Sequence, residues 1–247
     1  MKDLFPQWLG ELEKRHLSSL TFPEVRRAVQ ALSSLYVERR NRIGQGSALD
    51  GAGKRAAFAF YFSPLHFLLV REIVRSLNAA TASVRQILDL GCGTGVAGAA
   101  WALEMSPASR IIGVDRNTWA IAEAKWNCAR LHLNATFRIK DVESVRIPSG
   151  SGVVAAFALN ELSESARQKT MTRIIEANQH GSPVLIVEPI ARRIASWWPQ
   201  WKDAFTAKGG REDEWRLPVD LPSPLALMDK ATRLNHRELT GRSLWLP

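Results

Sequence analysis

Cysteine is nearly absent: Cys92 and Cys128 are the only two in 247 residues. Two thiols build neither a disulfide framework nor a four-cysteine metal site within one chain, and their scarcity fits a reducing compartment. The five histidines, at 16, 66, 132, 180 and 236, are scattered without the spacing of a metal-ligand set. Long apolar runs are also lacking. The greasiest stretch, Phe58 to Val70, falls short of the roughly 18 residues needed to cross a bilayer, and Ser63, Pro64 and His66 interrupt it. The opening Met1-Lys2-Asp3-Leu4-Phe5-Pro6-Gln7-Trp8 mixes charges and has no long apolar core, so it reads as neither a secretory signal nor an Arg-rich transit peptide. No internal repeat or low-complexity tract is evident. These absences set the expectation of a soluble, cytoplasmic protein with no membrane partner.

What the sequence has is apolar residues and positive charge. Hydrophobic residues make up 46% of it, enough for one large core or for one core with a small accessory region. Lys and Arg number 33 against 24 Asp and Glu, a formal charge of +9. Such an excess attracts polyanions such as RNA. The basic residues recur in small groups: Lys14-Arg15, Arg26-Arg27, Arg39-Arg40 with Arg42, Lys54-Arg55 and Arg192-Arg193. Pairs of this kind equally form ordinary solvated faces.

Residues 1–80 read as an N-terminal helical region. Val25, Val29, Leu32 and Tyr36 keep helical spacing behind Pro23, and a glycine-rich linker is expected near 43–54. Ser63-Pro64 is expected to start an apolar helix running to Leu77. Over 81–247 strands and helices alternate. Strands are expected at 85–90, 110–114, 135–139, 152–159 and 183–187, and helices at 96–105, 119–131 and 164–179. Arg237 to Trp245 is expected to form a closing strand pair. Near-continuous apolar strands such as Val184-Leu185-Ile186-Val187, separated by amphipathic helices, point to an α/β fold with a parallel sheet covered on both faces. Ligands of such sheets bind beyond the carboxyl ends of the strands.

The motifs fall at those ends. Gln86-Ile87-Leu88-Asp89-Leu90 runs into Gly91-Cys92-Gly93-Thr94-Gly95, where glycine lets the backbone turn sharply and approach a ligand. Asp115 follows Ile111-Ile112-Gly113-Val114 and is suited to accept the two hydroxyl hydrogens of a ribose. Asp141 follows the third strand. Gly93, Gly95 and Gly98 also satisfy the dinucleotide fingerprint, which leaves a nicotinamide or flavin reading open; the strand-end Asp89 and the extra Gly91 argue against it. Cys92 and Cys128 read as small fillers.

From Asp89 to Gly95 the chain resembles the first motif of class I S-adenosylmethionine-dependent methyltransferases, and the resemblance covers about 86–187. It implies a doubly wound, mostly parallel seven-stranded Rossmann-like sheet with S-adenosylmethionine as cofactor. It places Gly91, Gly93 and Gly95 along the methionine and ribose, Asp115 at the ribose, and Asp141 with Val142 at the adenine, with Cys92 and Arg116 also among the cofactor-binding residues. Asp89 would organise the loop and approach the methionine amine. Tyr61, just before the first strand, is placed either as a cover over the cofactor pocket or as a core tyrosine. Asn160 and Glu161, after the fourth strand, are the substrate-facing candidates; Asn160 is also placed at the cofactor, and the bland alternative is that it caps the next helix. The Asp/Asn-Pro-Pro-aromatic segment of base-amine methyltransferases is missing, as is a Pro-Cys pair for attack on cytosine carbon. Tyr61-Phe62-Ser63-Pro64, Asn160-Glu161-Leu162 and Val187-Glu188-Pro189 also resemble the small-ribosomal-subunit methyltransferase-like family, whose members commonly carry metal-cluster cysteines that this chain lacks. That resemblance implies methylation of small-subunit ribosomal RNA. The alternatives are a small-molecule methyltransferase and a ribosome-assembly factor that binds cofactor without catalysis. Ser196-Trp197-Trp198-Pro199-Gln200-Trp201 offers aromatics either for stacking on bases or, at helical spacing, for packing.

Overall fold

A computed structural model describes residues 3–38, 49–81, 84–191 and 195–247. Arg39, Arg40, Arg42, Arg192, Arg193 and the first half of the expected linker lie outside the described residues. The chain forms two compact units, Met1–His66 with Leu217–Leu239, and Phe67–Arg216 with Thr240–Pro247. The first unit thus takes in a segment from late in the chain.

The first unit is helical. Helix α1 (Phe5–His16) buries Phe5, Trp8, Leu9 and Leu12, and helix α2 (Phe22–Glu38) buries Val25, Val29 and Leu32, each set on one stripe. Thr21 and Glu24 bracket the start of α2, with the Glu24 carboxylate accepting the Thr21 amide and hydroxyl at 2.7 Å each. Helix α3 (Ala52–Ala57) begins within the expected linker and continues through a π-helical turn, Phe58–Phe62, into α4 (Ser63–Ser76). The helix therefore starts ahead of Ser63-Pro64. The Ser63 amide bonds to the Phe58 carbonyl five residues back, and this wider turn accommodates a proline that has no N–H to donate. Together these residues make one helical run of 25 residues, Ala52–Ser76, with a mean hydropathy of 1.3 in its most apolar window, which is 67% buried. Length and composition would let it cross a membrane, contrary to the short run read from the sequence; its burial is that of a core helix. Helix α9 (Ser223–Thr232) completes the unit.

The second unit is a seven-stranded sheet in the order β3-β2-β1-β4-β5-β7-β6. The strands are β1 (Gln86–Leu90), β2 (Arg110–Asp115), β3 (Ala135–Ile139), β4 (Gly152–Ala156), β5 (Val184–Glu188), β6 (Arg211–Pro218) and β7 (Glu238–Leu246). The first five are parallel, and β7 pairs antiparallel with β5. Helices α5 (Val96–Glu104), α6 (Thr118–Arg130), α7 (Glu164–Gln179) and α8 (Trp198–Thr206) accompany it. Every residue of β5 is buried, which requires cover on both faces. Leu88 and Leu90, Val153 and Ala155, Val184 and Ile186, and Leu244 and Leu246 alternate onto one face, against Met171 and Ile174 of α7 and Trp201 and Phe205 of α8. Trp197, Trp198 and Trp201 are buried there, so these aromatics pack rather than stack on bases. The expected closing pair within 237–245 is instead the single strand β7, flanked by β5 and by the polar edge strand β6.

Candidate functional site

Strand β1 places Asp89 on the face opposite Leu88 and Leu90, beneath the start of α5. There it is 1% exposed, and its Oδ2 accepts the Gly98 amide at 2.9 Å. Oδ1 is buried and has no hydrogen-bond partner among the described residues. Burial pushes the Asp89 carboxyl up to about 7 despite the Gly98 bond, with the nearby Asp115 charge adding to the rise. Asp89 thus organises the loop-to-helix junction, and it leaves one buried oxygen uncommitted.

The loop between β1 and α5 turns through three glycines with positive φ: Gly91 (+67°), Gly93 (+49°) and Gly95 (+76°). Gly91 lies against the chain after β4, where an added Cβ would fall 2.5 Å from the Ala158 Cβ and 3.9 Å from Val142. At Gly93 an added Cβ meets nothing within 4 Å. That open space, at the carboxyl end of the sheet, is where a ligand can meet bare backbone. Cys92, between them, is buried; its amide bonds to the Val114 carbonyl at 2.9 Å, and burial raises its thiol well above the ordinary range. It is a packing residue of the loop.

Asp115 ends β2 and ties this loop to the next helix. Its Oδ2 accepts the Gly93 amide at 2.9 Å and its Oδ1 accepts the Asn117 amide at 2.8 Å. Asn117 in turn caps α6 through Ala120. Each Asp115 oxygen keeps a further lone pair for a ligand hydroxyl. Beyond β3, the exposed Asp141 pairs with Arg116 at 3.4 Å, with both side chains about half exposed, so the pair holds little energy but brings the second and third strand ends together.

After β4, Asn160 is held on both sides. Its Nδ2 donates to Glu188 at 2.5 Å, and its Oδ1 accepts the Trp197 indole at 2.9 Å. It does not cap α7; the side chain of Ser163 does. Glu161 is exposed. Tyr61 lies in the first unit with 0% exposure, and its hydroxyl donates to Asp229 at 2.5 Å. Sequence reading missed Glu188 as a partner of the site. Its signals were the position of an acid at the end of the most apolar strand and its place in the Val187-Glu188-Pro189 segment, neither of which named its partners.

The arrangement fits S-adenosylmethionine on three observations of this chain: the bare backbone at Gly93, an acid ending the second strand beside it, and the uncommitted Asp89 oxygen. A doubly wound α/β fold with a glycine loop and strand-end acids defines a class of nucleoside-cofactor enzymes. Residues 87–181 match the sequence family described as a methyltransferase domain. Carboxy-S-adenosyl-L-methionine synthase of Hydrogenovibrio crunogenus is 30% identical over 107 residues, covering 42% of this chain and 43% of that protein. The chain therefore spans less than half the length of this curated relative. A candidate O-methyltransferase from Nostoc punctiforme shares the fold at a TM-score of 0.54 and 15% identity, over 96% of this chain and 72% of that one. Magnesium protoporphyrin IX methyltransferase from Synechocystis, solved with bound S-adenosylmethionine, matches at a TM-score of 0.48 and 12% identity, over 89% of this chain and 97% of that one. Residues 87–181 are thus similar to a methyltransferase domain.

Proposed function

We propose that this chain transfers the methyl group of S-adenosylmethionine to RNA, with small-subunit ribosomal RNA as the acceptor. The observation that carries the cofactor part is the open backbone at Gly93, whose amide Asp115 holds at 2.9 Å. The net charge of +9 supports a polyanionic acceptor. Asp115 would bind the ribose hydroxyls with its remaining lone pairs. Asp141 and Val142 would border the adenine, and the backbone of Gly91 to Gly95 would lie along the methionine portion. The uncommitted Asp89 oxygen would receive the amine, directly or through water. The cofactor supplies an electrophilic methyl on a sulfonium. The residues of this chain bind and orient, and in-line displacement needs little more when the acceptor is already nucleophilic. A second reading, a small-molecule acceptor, is favoured by the similarity to carboxy-S-adenosyl-L-methionine synthase.

Isothermal titration with S-adenosylmethionine and S-adenosylhomocysteine, with NAD and NADP as controls, tests the cofactor. Binding of the first pair alone is expected. Asp115→Ala should lose most of that affinity, since charge-assisted hydrogen bonds contribute about 1.5–3 kcal/mol each. Unchanged binding would remove the ribose assignment.

A further inference from the structure

The end of β5 carries a buried acid with no assigned role. Glu188 has 0% exposure, and both oxygens are engaged: Oε1 accepts the Leu159 amide at 3.2 Å and Oε2 accepts Asn160 Nδ2 at 2.5 Å. Arg167 grips the same turn from its carbonyl side, donating to the Leu159 oxygen at 3.0 Å and to the Leu162 oxygen at 2.6 Å. Its guanidinium lies 5.4 Å over the Trp197 ring, the same indole that donates to Asn160. A buried carboxylate is costly unless donors surround it. Here two of its donors come from one short turn, so satisfying the acid fixes the turn.

That turn bears on the cofactor loop. Phe157 sits at φ +58°, a conformation non-glycine residues seldom adopt, and its amide is tied to the Val187 carbonyl at 2.8 Å. Ala158 is the residue against which Gly91 packs so closely that a Cβ would not fit. A shift of the turn toward the sheet end would press on Gly91, and a shift away would leave the loop unsupported.

We propose that Glu188 is a positioning residue of the cofactor site. Through Asn160 and the Leu159 amide it sets Phe157–Leu162 against Gly91, and Asn160 serves this clamp in place of meeting substrate. The inference rests on the cofactor reading above. The hydrogen-bond pattern provides its own test, because the donor and acceptor of the pair can be exchanged. In Glu188→Gln the new amide NH₂ faces Asn160 Nδ2, donor against donor. In Asn160→Asp two carboxylates meet. In the double variant, the introduced amide can accept from Leu159 through its oxygen and donate through its nitrogen to the introduced carboxylate. That carboxylate still accepts from Trp197, so all three bonds are rebuilt.

Two readouts are needed: hydrogen exchange of the Leu159 amide with the Trp197 indole resonance, which report the clamp without ligand, and titration calorimetry with S-adenosylmethionine. Each single variant should lose Leu159 protection and weaken cofactor binding by about tenfold, the equivalent of one hydrogen bond. The double variant should regain both, to within about threefold of the parent. Lost protection with unchanged affinity would overturn the positioning role and leave the cofactor reading intact. A double variant no better than the singles would overturn the pairing. A parent protein that binds neither S-adenosylmethionine nor S-adenosylhomocysteine would overturn the cofactor reading itself.

Discussion

Asp89 sets two requirements against each other at the scale of one residue. Its carboxylate holds the first turn of α5 through Gly98, yet burial disfavours its charge and raises its carboxyl from 3.8 to about 7. A carboxyl raised on folding stabilises the fold most where it is protonated in both states, below about pH 4, and that contribution is lost as pH rises through about 7. The difference corresponds to about 4 kcal/mol at most. Asp89→Asn keeps an acceptor for Gly98 and removes the charge, so ligand-free melting at pH 8 should rise above the parent, with the gain shrinking at pH 5. Affinity for S-adenosylmethionine should fall in the same variant. A melting difference independent of pH would contradict a charged Asp89. Gly91 offers a steric counterpart. Gly91→Ala forces a Cβ to within 2.5 Å of the Ala158 Cβ at a φ of +67°, and should cost about 1–3 kcal/mol by urea denaturation. Adding Ala158→Gly should return the steric part and leave the backbone strain. Gly93→Ala, with open space around it, should fold better than Gly91→Ala yet bind cofactor poorly.

At the scale of the element, the π-helical turn before α4 and helix α9 are joined by one cluster, with Tyr61 and Asp229 buried and His236 half-buried. Asp229 Oδ1 accepts from Tyr61 and from His236 Nδ1, at 2.5 Å each, and its Oδ2 accepts the His236 amide at 2.8 Å. Burial alone would raise the Asp229 carboxyl, but these donors outweigh it and hold the group below its ordinary value. A lowered carboxyl contributes stability above about pH 4, lost as pH falls through the lowered value. Tyr61→Phe removes one donor and should cost about 1–2 kcal/mol at neutral pH, with the loss diminishing under acid; equal cost at pH 7 and pH 3 would contradict the cluster's role. The phenol itself stays protonated at neutral pH, because burial and the adjacent Asp229 raise it further. This cluster also marks where sequence reading stops. Strands β1 to β5 and helices α5 to α7 were legible because apolar periodicity and strand-end glycine and acids are local signals, and β3 and α7 fall on the expected residues. Strand β6 was not, since Arg-Glu-Asp-Glu-Trp-Arg-Leu-Pro is a polar edge with one half-buried face. The strand ends located Asp89, Asp115, Asp141 and Asn160. The destinations of their side chains were not legible: Tyr61 meets a residue 168 positions away and Asn160 one 28 positions away, and no local pattern encodes either partner.

For the whole molecule, the question is what the excess of nine positive charges is for. Net charge governs association and not fold, and nothing in the sheet or the glycine loop requires it. If RNA is the acceptor, lysine and arginine must neutralise phosphates, and each contact releases condensed counterions, so affinity falls as a power of salt concentration. About six phosphate contacts on a single strand would lower affinity by several hundredfold between 50 and 200 mM salt, since the slope per contact is about 0.7. S-adenosylmethionine binding should hardly move over the same range, because the contacts proposed for it at Asp115 and the glycine loop are short-ranged and few. Filter binding of small-subunit ribosomal RNA across salt, beside cofactor titration in the same buffers, separates the two terms. A steep RNA slope with a flat cofactor response fits an enzyme that captures a polyanion through its surface and its cofactor through a preformed loop. A flat RNA slope would leave the charge as a solvated surface and give precedence to the small-molecule acceptor.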